Sequence, residues 1–288
     1  MTVNVSLKVH DGLVFAADSA TTLFQTDQEG NQRIHIVYNN ANKIFNLFRE
    51  LPIGAMTWGA GNLGPASMST IAKDLRQALM GNSQEHADLR LERTNYSVEE
   101  VTAKAKGFFD ELYTAQYNAT KPEQRPYFGF VVGGYSSDQQ LAEIWALETV
   151  NGVIQGPIQI VDRSLPAALN WFGDTEALNR LVLGFSSGIV PALIETGMEA
   201  KEAQQVLINI TKTGPTLVNP PMPIQDAIDL AAGLVDVSAL FARFRGGGGA
   251  TIGGPVEVAA ITKHERFKWV RRKHYYEQGL NPPYEGER

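Results

Sequence analysis

MTVNVSLKVHDGLVFAADSATT, residues 1–22, decides how this 288-residue chain is read. Residues 2–9 alternate, Asp11-Gly12 is a turn signal, and 13–18 form a second apolar run. Period-two alternation joined by a turn dipeptide predicts a β-hairpin, so the chain enters a sheet at its second residue. The near-continuous apolar run 13–17 calls for cover on both faces. Thr2 directly follows the initiator methionine, and so small a residue leaves that methionine open to the ordinary aminopeptidase. With Met1 removed, Thr2 would carry a hydroxyl nucleophile and its own base, an α-amine with a pKa of about 7.7–8.0.

Beyond the hairpin, residues 23–42 are polar and Asn/Gln-rich, and the runs 43–48 and 52–58 suggest a second hairpin. Residues 65–80 have helical spacing, with Pro65 near the start and Gly81 past the end. Ser97 and Glu100 make a capping box ahead of a helix over 97–117. Both helices carry apolar residues beyond one face, which predicts association. Strands follow at 127–135, 141–149 and near 168–172, then helical patterns at 174–196, 198–213 and 223–244. A closing strand pair is expected at 255–262 and 267–270. This order predicts an α+β fold, a four-layer α-β-β-α sandwich of two mainly antiparallel sheets. We expect one domain over 1–288, with a C-terminal extension from about 263.

Composition excludes several classes of function. The chain is 43% hydrophobic, enough for a sizeable core, and its net charge of -6 gives no pull towards nucleic acid or an anionic membrane. It has no cysteine, so disulfides, thiol catalysis and Cys-ligated metals are excluded. No apolar run approaches the roughly 20 residues of a membrane span, and the start lacks a signal-peptide layout; the cytoplasm is the expected compartment. His10, His35, His86, His264 and His274 have no metal-ligand spacing, and we expect neither metal nor cofactor.

Three short signals point elsewhere. GFSSG (184–188) fits a nucleophile elbow around Ser186, but it lies in helical periodicity rather than after a strand. RGGGGATIGG (245–254) lacks the Lys-Ser/Thr ending of a phosphate loop. KHERFKWVRRKHYY (263–276) mixes bases with aromatics and, in an acidic chain, reads as an inter-subunit tail.

Several segments together resemble the proteasome β subunits and their bacterial relatives, which are N-terminal-nucleophile hydrolases. AADSATT (16–22) resembles the family's Ala-Ala-Asp segment, which would make Asp18 the catalytic aspartate and Thr22 a substrate-binding threonine. NKIFNL (42–47) resembles the Lys-Ile-Phe segment, with Lys43 as the catalytic lysine. TWGAG (57–61) resembles the oxyanion-hole segment and points to Gly59. GGPVEVAAIT (253–262) resembles the last core strand. Among relatives, the tail, the absent pro-peptide and the early Thr2 look most like the β-proteobacterial proteasome homologue, with the Anbu proteins next.

The resemblance implies a threonine endopeptidase in stacked homomeric rings, by analogy two heptamers, acting on peptides or unfolded proteins. It leaves room for an ATP-dependent unfoldase that the sequence does not identify. Thr21, Thr57 and Gly61, with Ala41, would line a roomy substrate pocket. Physically, Lys43 held by Asp18 would be a positive charge beside the nucleophile. The chain departs from the family at FGDTEA (172–177), where Asp174 stands in place of a serine near the nucleophile, and in RGGGGATIGG, which lacks the usual Asp-x-x-Ser pair. A non-catalytic ring or shell protein, or an amidohydrolase acting on small amides, are the alternatives.

Overall fold

The computed structural model describes residues 2–26, 32–245 and 251–273, and of 23–26 and 32–35 the backbone alone. Met1, the Gly-rich residues 246–250 and the end of the basic-aromatic run lie outside the described residues. The chain opens with β1 (Val3–Val9), β2 (Gly12–Ala17), β3 (Thr21–Thr26), β4 (Gln32–Tyr38), β5 (Ile44–Asn46) and β6 (Ile53–Gly59). Two short strands, β7 (Asn62–Leu63) and β8 (Ala66–Ser67), lead into α1 (Met68–Leu79) and α2 (Val98–Tyr117). Then come β9 (Phe128–Gly134), β10 (Glu143–Val150), β11 (Val153–Val161) and β12 (Ala168–Gly173). Four helices follow, α3 (Glu176–Leu178), α4 (Ile189–Glu195), α5 (Ala200–Thr211) and α6 (Ile224–Phe244), before β13 (Glu257–Thr262) and β14 (Arg266–Arg271).

Two five-stranded antiparallel sheets form, in the orders β12-β1-β2-β13-β14 and β11-β10-β9-β6-β5. Alternation along β1 sorts its side chains between layers. Val3, Val5, Leu7 and Val9 pack with Ala227, Ala231 and Val235 of α6. Thr2, Asn4, Ser6 and Lys8 fall on the opposite face, towards the second sheet. Between the sheets Leu13, Phe15 and Ile261 meet Ile44, Met56 and Val131. On the far side, α1 and α2 cover the second sheet with Ile71, Leu75, Phe108 and Phe109. The architecture is the expected α-β-β-α sandwich. It also assigns the apolar faces of α1 and α2: these pack inward and are not left for association.

The second helix starts at its expected cap, Ser97, whereas the first, expected from Pro65, starts only at Met68 with Ser67 as its cap. Ser67 Oγ accepts from the Thr70 amide at 3.2 Å, and Ser97 Oγ from Glu100 at 3.0 Å.

Three expectations are corrected. The stretch 23–42, read as polar, contains most of the β3–β4 hairpin, in which Leu23, Phe24, Ile34, Ile36 and Val37 stand among polar residues. β11 interrupts the expected loop after β10; it is an edge strand with mostly solvent-facing positions and Pro157 inside it, so its signal is weak. The pattern 174–196 is not one helix. Gly184 adopts a left-handed φ of 84°, and the Glu176 carboxylate accepts Ser186 Oγ at 2.7 Å and the Ser187 amide at 3.0 Å. Those bonds, Ser186 foremost, hold the Glu176 pKa down at about 2.

Candidate active site

The chain turns from β2 into the stretch beyond it at Asp18, and this fully buried carboxylate gathers the site. Its Oδ1 accepts the Val3 amide at 3.0 Å and Lys43 Nζ at 2.6 Å. Its Oδ2 accepts the Ala20 amide at 3.0 Å and the Gly253 amide at 3.1 Å. The Asp18 amide in turn donates to Val3 O at 3.2 Å. One oxygen thus joins the Thr2–Val3 backbone to the Lys43 ammonium. Thr2 is itself buried, 6% exposed.

Lys43 immediately precedes β5 and is only 4% exposed. Burial draws its pKa below the usual lysine value, while the Asp18 charge and hydrogen bond oppose that shift. Its backbone is fixed to the neighbouring strand, because the Thr57 amide donates to Lys43 O at 3.0 Å. Thr57 O accepts Asn4 Nδ2 at 2.9 Å, and Thr57 Oγ1 donates to Gly129 O at 3.0 Å. Strands from both sheets are therefore pinned around Lys43, and the Thr57 hydroxyl already has a backbone partner.

Gly59 ends β6 in an exposed position with φ 83°. A Cβ there would lie 2.5 Å from Tyr127 O, so both conformation and space demand glycine. Gly61 is brought against Thr21, whose Oγ1 would be 2.8 Å from a Cβ at that position. Thr22 is half-buried in β3, opposite Val37 of β4. Asp174 lies beside Thr2 through the backbone: its amide donates to Thr2 O at 2.7 Å. Its carboxylate takes both arms of Arg245, at 3.3 and 2.8 Å.

Thr2, Asp18, Lys43 and Asp174 thus converge, with Thr57 beneath them and Thr21 meeting Gly61. Five residues of this neighbourhood were not anticipated. Gly253 acts through its amide and Ser19 through its hydroxyl and backbone, and neither leaves a motif. Arg245 follows α6 and was read only as the start of a Gly-rich turn. Glu257 and Lys273, a buried ion pair with Nζ–Oε2 3.4 Å, sat inside a strand pattern and a presumed tail. Residues up to Lys273 belong to this chain's own fold, since β14 pairs with β13.

Ser186, the rival nucleophile, lies in a turn, not in a helix, and donates to Glu176. A basic cleft of about 300 Å³ lies beside β5, lined by Asn42, Arg49, Lys73, Arg76 and Arg272 among others. Thr2, Asp18 and Gly59 do not line it. No helix among the described residues is long and apolar enough to cross a membrane.

No protein-family model matches the chain, and no curated protein matches it. Among solved structures it is similar to Anbu (ancestral beta-subunit) from Yersinia bercovieri, at 14% identity and TM-score 0.49, over 94% of this chain and 88% of that one. It is also similar to an Anbu mutant from Hyphomicrobium sp. strain MC1, at 15% identity and TM-score 0.49, over 95% and 86% of the two chains.

Proposed function

We propose that the chain is an N-terminal-nucleophile hydrolase of the threonine type, cleaving peptide bonds through Thr2 once Met1 is removed. The observation that carries the reading is the shared Asp18 Oδ1, which accepts both the Val3 amide and Lys43 Nζ. A lysine fixed so near a strand's first residue has little structural purpose that an apolar side chain would not serve as well.

In this reaction Thr2 Oγ1 attacks the scissile carbonyl carbon while its proton passes to the Thr2 α-amine. Lys43 favours the hydroxyl's ionisation and the negative charge that develops. The oxyanion forms near the Gly59 amide. Collapse breaks the C–N bond, the α-amine returns its proton to the leaving amine, and an ester to Thr2 remains. Water, deprotonated by the same amine, then releases the acid and restores the hydroxyl. No other base is needed, since the nucleophile carries its own.

An enclosing homomeric ring and a cytoplasmic setting complete the reading. A peptidase with an open site would damage its surroundings, so restricted access must supply the selectivity. The test is turnover of fluorogenic peptides by the wild type and by Thr2→Ala. The substitution should abolish hydrolysis without altering assembly, because a methyl group fits the same space. Equal turnover in the variant would refute the mechanism, and turnover of small amides but not peptides would assign the amidohydrolase instead.

A further inference from the structure

Behind the Asp18–Lys43 pair lies a second buried ion pair that the hydrolytic mechanism does not use. Glu257, 1% exposed, starts β13 in register with Ala17, the residue before Asp18. Its Oε2 stands 3.4 Å from Lys273 Nζ, and the Lys273 side chain is 6% exposed. Lys273 also donates to Ser19 Oγ and to Ala41 O, each at 2.6 Å. Ser19 follows Asp18, and Ala41 comes two residues before Lys43. The two loops are themselves joined, the Ala41 amide donating to Ser19 O at 2.9 Å. One ammonium group, from beyond the last strand, therefore clamps the loops that present both members of the first pair.

We propose that Lys273, paired with Glu257, is a positioning residue that fixes the Asp18–Lys43 pair and is electrostatically coupled to Lys43. The proposal rests on the hydrolase reading for its catalytic consequence, but not for the electrostatic coupling itself. Four charges share the site: Asp18 and Glu257 negative, Lys43 and Lys273 positive. Asp174, which meets the Thr2 carbonyl through its amide, has its own partner in Arg245. Lys273 lowers the Lys43 pKa and Glu257 raises it, so the two members of the pair oppose one another at Lys43. Replacing Lys273 with Met exposes Lys43 to an uncompensated carboxylate and raises its pKa; replacing Glu257 with Gln leaves an uncompensated ammonium and lowers it.

The test compares wild type, Lys273→Met, Glu257→Gln, the double variant and Lys273→Arg, all in the full chain. The Lys43 pKa is read by NMR on lysine-labelled protein, assigned with Lys43→Arg. In parallel, the rate at which Thr2 forms its cyclic adduct with a peptide epoxyketone, the hydroxyl adding to the ketone and the α-amine opening the epoxide, is followed against pH. Lys273→Met should raise the Lys43 pKa and Glu257→Gln should lower it. The double variant should fall between the two single variants, and Lys273→Arg should stay near the wild type. The alkaline limb of adduct formation should move in the same directions. A purely structural role would depress rates without moving the limb in opposite directions. Identical pKa values in all variants, or same-sign shifts in the two single variants, would overturn the proposal. If Lys273→Met does not fold, Glu257→Gln and Lys273→Arg still decide it. If the wild type forms no adduct while Lys43 shifts as stated, the hydrolase reading fails and the coupling stands.

Discussion

Asp18 accepts four donors and leaves no lone pair for a fifth role, so chemistry at the site depends on the groups it holds. Lys43→Ala should reduce peptide turnover by roughly 10²–10³, the range seen when one preorganised charge or donor is removed. Lys43→Arg should not restore it, because a planar fork cannot take the place of a compact ammonium bonded to one oxygen in so buried a slot; full activity in that variant would contradict the placement. Asp174 and Arg245 make an opposed pair of predictions. In Arg245→Gln an uncompensated carboxylate beside Thr2 favours the protonated α-amine, so the acid limb of the pH–rate profile should move to higher pH. In Asp174→Ser the remaining guanidinium favours the neutral amine, and the limb should move lower. Profiles that superimpose would show that neither charge reaches the amine. Thr2 was singled out by its own chemistry at the head of a strand, whereas Asp18 and Lys43 were singled out by the resemblance of AADSATT and NKIFNL to a family's segments. Gly253 was not legible, since it contributes a backbone amide.

At the scale of elements, tight contacts place Thr2. Gly173 has φ 88°, and a Cβ there would lie 1.9 Å from Thr2 O. Gly173→Ala should therefore displace the start of β1, cost at least about 1 kcal/mol in denaturant unfolding, and lower activity more than stability alone explains. An unchanged midpoint would mean that the strand ends yield freely. Lys8, on the inter-sheet face of the same strand, donates to the carbonyls of Asp162 and Arg163 at 3.1 Å each. Burial lowers its pKa to about 8, against the opposing charges of Asp162 and Glu143, from an ordinary value of 10.5. Between those values the unfolded chain binds more protons, so stability should rise with pH across that window. Lys8→Met should flatten part of the rise, and an unaltered slope would remove Lys8 as its cause. Capped amphipathic helices such as α1 and α2 were readable because their spacing and capping residues agree. β11 was not, being an edge strand with Pro157 inside it and few buried side chains, and the β3–β4 hairpin was not, because its apolar residues stand among many polar ones. Continuous apolar spacing also concealed the break at Gly184, which a hydrogen-bonded Glu176 stabilises from outside the local pattern.

For the whole molecule, the layer order followed from the order of strand and helix patterns, whereas the joining of distant segments at one site did not. Lys273 meets Ser19 across most of the chain's length, and no local pattern records such a contact. Association is expected through a different surface from the one the helical patterns suggested. Val237, Leu240 and Phe244 recur along α6 at 44%, 57% and 74% exposure, an apolar stripe on the outer layer. If that stripe meets a neighbouring subunit, Phe244→Lys should shift the mass seen by light scattering towards the monomer while leaving the fold intact; a wild type that is monomeric at micromolar concentration would contradict the ring. Everything proposed about the reaction depends on a free Thr2, and intact mass spectrometry before and after a peptide epoxyketone tests that most directly. We expect a chain lacking Met1 that gains one adduct, localised to Thr2 and absent from Thr2→Ala. A chain that keeps Met1 and gains no adduct, or the same adduct in Thr2→Ala, would contradict the assignment of Thr2 as the nucleophile.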